Sequence, residues 1–187
     1  MKAPLDYFFG RKDIDLKGYF QHQIFLDFYS RAEAREWLKL KPQFERYAPD
    51  IGIEYSAAHI RKGDYVNDPG LSRLYCDISE VSYDSAIDHF EIPKPVFRVC
   101  EGWRAPPPEL QQQGLGWLPD WLLLRDAAHL LRANSTFSWW AGVLGNGKVY
   151  APFVSDWVGP QDVPFFEGNW PCTAGSFLNQ SDLRMRE

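Results

Sequence analysis

Two short stretches carry side chains whose types and spacing could do chemistry. The first is His59-Ile60-Arg61-Lys62-Gly63-Asp64-Tyr65. Arg61 presents a planar fork of donors that matches a phosphate, Lys62 adds a compact point charge, and His59 and Asp64 can take or give protons. Gly63 frees the backbone to turn among them. The second stretch is Asn134-Ser135-Thr136-Phe137-Ser138-Trp139-Trp140. Ser135, Thr136 and Ser138 stand where an extended segment passes into an apolar helix. A helix's first turn leaves N–H groups unpaired and carries partial positive charge, so it suits an anion, to which nearby hydroxyls can also donate. Taken singly, each stretch has a plainer reading: a solvated turn with an ion pair, and an N-cap cluster. Taken together they describe a diphosphate site, provided the fold brings them to one place.

The elements that must do so can be read from periodicity and punctuation. Ile51 to Ala57 alternates like a buried strand that empties into the polar loop from Ala58, and ligands of α/β sheets bind just past the carboxyl ends of strands. Before it, Glu33, Ala34, Trp37 and Leu38 fall at helical spacing behind Ser30, a capping-box pattern, and Pro42 and Pro49 interrupt the chain. Asn67 to Gly70 reads as a turn. Ser82 to Phe90 reads as a helix with Tyr83, Ala86, Ile87 and Phe90 on one face. Val96 to Cys100 is a second strand, opening into Glu101-Gly102-Trp103. Ala105 to Gly116, with three prolines and three glutamines, reads as a mobile connector. Asp120 to Leu131 is expected to be helical, Arg132 to Asn134 extended, Ser135 to Leu144 helical, and Lys148 to Pro152 a strand. Strands alternating with helices predict an α/β fold with a mostly parallel sheet. The expected organisation is a helical and linker segment over 1–49, an α/β ligand-binding domain over 50–175, and a polar tail over 176–187.

Composition narrows the partners. The 187 residues, 45% apolar and 24% charged, fit one globular domain with an extension. Eight Trp, nine Tyr and thirteen Phe supply faces that pack cores and stack on sugars or nucleobases. A net charge of −5 argues against nucleic acid as a partner. Three scattered cysteines form neither a disulfide framework nor a zinc pattern, and the first ten residues do not look like a signal peptide. No transmembrane segment is expected, and a cytoplasmic location follows, free or at a membrane surface. Gly142-Val143-Leu144-Gly145-Asn146-Gly147-Lys148 is spaced like a P-loop, but Val149 replaces the hydroxyl residue and the run precedes a strand rather than following one.

Together the two stretches resemble the paired motifs of the α-1,2-fucosyltransferase family. His59-Ile60-Arg61-Lys62-Gly63-Asp64-Tyr65 is similar to the family's HxRRGDY, and Asn134 to Trp140 is similar to its NSSFSWW. Leu16-Lys17-Gly18-Tyr19-Phe20-Gln21 resembles the segment that precedes the first motif, and Tyr150-Ala151-Pro152 with Trp157 the one that follows the second. The resemblance implies a Rossmann-like domain, the C-terminal, donor-binding half of a two-domain enzyme. It implies transfer of fucose from GDP-fucose to a galactoside hydroxyl, with inversion and without a metal or other cofactor. Arg61, Lys62, Ser135, Thr136 and Ser138 would bind the donor. Arg61 would also offset charge on the departing diphosphate, and Asp64, or else His59, would serve as base. Three departures stand out: Lys62 replaces a second Arg, only Glu101 answers the family's FSDD-like acids, and the opening half has no counterpart. A second subunit could supply that acceptor half. The alternative is a non-catalytic nucleotide-sugar or glycan-binding module, or a subunit of a split enzyme.

Overall fold

The structure, a computed structural model, describes residues 31–68, 76–154 and 160–169. The chain opens with α1 (Arg31–Trp37) and α2 (Pro42–Glu45), then runs through β1 (Ser56–Ile60), α3 (Gly63–Asn67), β2 (Asp77–Ile78) and α4 (Glu80–His89). It continues with β3 (Val96–Cys100), α5 (Pro108–Gln112), α6 (Leu118–Asp126), β4 (His129–Leu131) and α7 (Thr136–Leu144). It closes with β5 (Lys148–Pro152), β6 (Pro160–Gln161) and β7 (Phe165–Glu167). Five strands form one sheet in the order β3-β1-β4-β5-β7. The first four are mutually parallel and β7 returns antiparallel on β5, while β2 and β6 pair as a separate parallel ribbon. This is the α/β, Rossmann-like sheet that the alternation predicts.

A parallel strand in mid-sheet is covered on both faces, so its residues divide between two cores. β1 is buried throughout. Ala57 joins Val99 and Leu130 in one cluster, where Leu118, Leu122, Leu123 and Leu124 of the α6 segment and Ala141 of α7 cover them. Ala58 and Ile60 join Leu131 and Tyr150 on the opposite face, under Tyr83 and Ala86 of α4 and Phe165 of β7. The two alanines of β1 are fully buried, and their small side chains let helices approach the sheet closely from both sides.

The segment before β1 is tied to this body. Leu40, Phe44, Tyr47, Ala48 and Ile51 pack on the first core cluster. Arg125 of α6 holds the Glu45 carboxylate with two hydrogen bonds of 2.8 and 2.7 Å, and its fork also reaches Asp126. Arg35 of α1 donates to the Gly145 carbonyl beyond α7.

Several expectations need correction. The first strand starts at Ser56, because Asp50 accepts from the Gly52 N–H at 3.1 Å and Gly52 takes a φ of 68°, making a turn where alternation suggests a strand. His59 therefore lies inside β1. Residues 105–116 are not all connector: two prolines pre-set the start of α5, and fully buried Leu110 pins it to the core. The helix expected to reach Leu131 stops at Asp126, because Ala127 turns extended and His129–Leu131 pairs with β1. The run Gly142 to Lys148, set aside as a P-loop on its sequence, needs no such correction. A Cβ on Gly145 or Gly147 would strike the carbonyls of Arg125 and Ala127, so this loop is packed against backbone. The Ser30 cap, the turn beyond Asp68, Leu16 to Gln21, Trp157 and the polar tail lie outside the described residues. Among those described, no helix is long and apolar enough to cross a membrane.

Candidate functional site

The sheet order makes one place on the molecule special. From β1 the chain moves outward to β3, then crosses back to form β4 on β1's other side. The order thus reverses between β1 and β4, and open α/β sheets bind ligands in the crevice beyond the carboxyl ends of the strands at such a point. Arg61 follows β1, and Thr136 opens α7 five residues after β4 ends at Leu131. Both line a single cleft of about 900 Å³. The two stretches singled out by their chemistry are therefore walls of one cavity.

The second stretch is set by capping. Ser135 adopts an extended backbone and its hydroxyl accepts from the Phe137 N–H at 3.2 Å, which fixes the start of α7. Thr136 and Phe137 then face the cleft, with Trp140 and Leu144 further along the helix. Ser138 does not join them. It is fully buried, and its hydroxyl lies 3.3 Å from the carbonyls of Ala133 and Ser135, to which it donates. Its place is under the turn, bracing it. Trp139 is likewise fully buried.

The first stretch divides. Arg61 is partly buried and lines the cleft, whereas Lys62 reaches the Asp77 carboxylate of β2 at 2.7 Å. Lys62 is not among the residues lining the cleft; it moors the Arg61 turn to the small ribbon. Asp64 lies in α3, directly after Gly63. His59 is 6% exposed, its ring 5.3 Å from that of Phe137, and among the described residues its Nδ1 has no hydrogen-bond partner. Burial, reinforced by the Arg61 charge, pushes its pKa down to about 3. The imidazole is thus neutral at physiological pH, a hydrogen-bonding group rather than a strong base.

The cleft also holds groups that spacing did not single out as its members. Asp120, in the first turn of α6, lines the wall formed with Trp117, Trp121 and Arg104. Burial raises its pKa, against the opposing influence of Trp103 and Arg104. Trp117 is 47% exposed, with its ring set edgewise to Phe137 at 6.1 Å. Glu101, the first residue after β3, lines the cleft as well, and a Cβ added at Gly63 would overlap its carboxylate. For Glu101 the available signals were its position just past a strand and its match to the family's FSDD-like acids; for Asp120 and Trp117 there was none beyond residue type.

The cavity is thus mostly apolar and aromatic, with a cation and a helix N-terminus at the switch point, Glu101 against the turn that carries the cation, and Asp120 on the α6 wall. Such a site can hold a flat ring among aromatic side chains and an anionic group by Arg61 and the start of α7. Among the described residues, no cluster of three or more His, Cys, Asp or Glu is placed to hold a metal ion. Comparison with protein-family models, with curated proteins and with solved structures finds no match.

Proposed function

We propose that the chain is the donor-binding domain of a fucosyltransferase of the α-1,2 type, taking fucose from GDP-fucose and passing it, with inversion, to a galactoside hydroxyl in the cytoplasm. The observation that carries this reading is the convergence of Arg61 and the start of α7 on one cleft at the switch point of the sheet. The motif resemblance requires that convergence, and the sheet order supplies it.

In this reading Arg61 grips the β-phosphate and offsets the charge that grows there as the sugar leaves. Thr136 and the N–H groups of α7 hold the same diphosphate from the other side. Neutral His59 sits beside Arg61 without adding a second positive charge, and its ring supports Phe137. The base lies among the aromatic side chains, where the Asp120 carboxylate can accept from the paired N–H donors of a guanine edge. Ser138 and Lys62 serve by holding these groups in place, the one beneath α7 and the other by its pair with Asp77.

Calorimetric titration with GDP, UDP and ADP, followed by incubation with GDP-fucose and a panel of galactosides, tests the reading. Selective GDP binding and acceptor-dependent release of GDP are expected. Absence of GDP binding defeats the proposal, and binding without release identifies a nucleotide-sugar-binding module instead.

A further inference from the structure

We propose that Glu101 is the general base that takes the proton of the incoming acceptor hydroxyl. This inference rests on the sugar-nucleotide reading of the cleft. β1 and β3 are neighbouring parallel strands whose last paired residues are Ile60 and Cys100. Arg61 and Glu101 therefore leave the sheet side by side at the same level, one strand spacing of about 4.8 Å apart. Gly63 makes the next contact possible. It takes a φ of 29°, and the space a side chain would fill is occupied by the Glu101 carboxylate. The acid is thus lodged against the turn that carries Arg61 while remaining exposed to whatever enters the cleft.

The other candidates in the cleft fit the task less well. His59 is buried against Phe137 and holds a proton too weakly. Asp120 stands on the α6 wall among Trp103, Arg104 and Trp121, in surroundings suited to a flat ring. Among the side chains described, Glu101 combines exposure to an acceptor with a position beside the group that holds the departing phosphate. In an inverting, in-line displacement the entering oxygen lies on the face of the sugar opposite the departing one, so the base is needed across one sugar carbon from the phosphate that Arg61 holds, a span that the neighbouring end of β3 can bridge.

The step balances without any further reagent. The acceptor oxygen forms a bond to the anomeric carbon, and its O–H bond breaks with the proton passing to Glu101. The bond from that carbon to the diphosphate oxygen breaks, and its electron pair stays on the diphosphate, where Arg61 meets it.

The experiment compares wild type with Glu101→Gln, Glu101→Ala and Asp64→Asn, measuring GDP affinity by calorimetry and GDP release from GDP-fucose with a galactoside. Glu101→Gln should lower turnover at least 100-fold, as loss of a general base does, and leave GDP affinity within about threefold of wild type. Added formate should restore part of the Glu101→Ala rate in a concentration-dependent way, which a merely structural role would not produce. Turnover of Glu101→Gln near the wild-type rate, or a loss confined to Asp64→Asn, overturns the base assignment and leaves the donor-binding reading standing. Wild-type protein that binds GDP without turnover also overturns it, and wild-type protein that does not bind GDP overturns both.

Discussion

Replacing Arg61 by Ala separates the two ends of a nucleoside diphosphate. Arg61 is partly buried beyond β1 and lines the cleft, and the proposed donor-binding reading gives it the terminal phosphate. Two charge-assisted hydrogen bonds, taken near the lower end at about 1.5 kcal/mol each because the site is open to water, amount to about 3 kcal/mol, or roughly 100-fold in Kd. That loss should fall on GDP and not on GMP, whose single phosphate does not reach the guanidinium. Arg61→Lys should lie between, since it keeps the charge and loses the fork. The same variant has a second readout. His59 is pushed down to about 3 chiefly by burial and secondly by Arg61, so its pKa should rise in Arg61→Ala yet stay below the ordinary 6.5. Calorimetry with both nucleotides and an NMR titration of the His59 ring measure the two effects. Equal weakening of GDP and GMP, or an unchanged GDP affinity in a folded variant, refutes the phosphate assignment. A His59 titration that does not move refutes the electrostatic account.

Other outcomes follow from the same structure. Ser138→Ala should lower stability by about 1 kcal/mol in a denaturant titration and leave GDP affinity unchanged, because the hydroxyl is spent on backbone carbonyls. Gly147→Ala forces a methyl against the Ala127 and Ala128 carbonyls, the latter 2.6 Å away, and should cost about 2–3 kcal/mol, seen as a lower denaturation midpoint. His59 is neutral in the fold and has a pKa near 6.5 when unfolded, so between about 3 and 6.5 the unfolded chain binds the extra proton. Its contribution is therefore complete above pH 6.5 and is lost progressively as pH falls toward 3, by on the order of 4 kcal/mol. In His59→Phe, unfolding followed against pH should show a flatter dependence across that window.

Elements with a strong local signal were legible in the sequence. Val96–Cys100 and Lys148–Pro152 are strands as read, and α7 begins at Thr136 because Ser135 caps it. Failures occurred where distant packing decided the outcome. Ala128 to Leu131 suits a helix by composition, yet pairing with β1 draws His129–Leu131 into the sheet. The prolines and glutamines around Leu110 have the composition of a connector, and one buried leucine makes the difference. The candidate site divides in the same way. Arg61 and the Ser135-Thr136 stretch stood out by residue type and local setting. Asp120 and Trp117 reach the cleft only through the seating of α6, which no local pattern encodes. Ser138 looked like a ligand group because it shares a helix turn with Thr136, but that turn points its hydroxyl inward.

The reversal of strand order between β1 and β4 has a consequence for the molecule as a whole. The two walls of the cleft come from segments far apart along the chain, and only the completed β1–β4 pairing sets them face to face. A molecule gripping both acts as a rivet through the centre of the sheet, so occupancy and global folding become one linked equilibrium, and a guest strengthens its host by mass action.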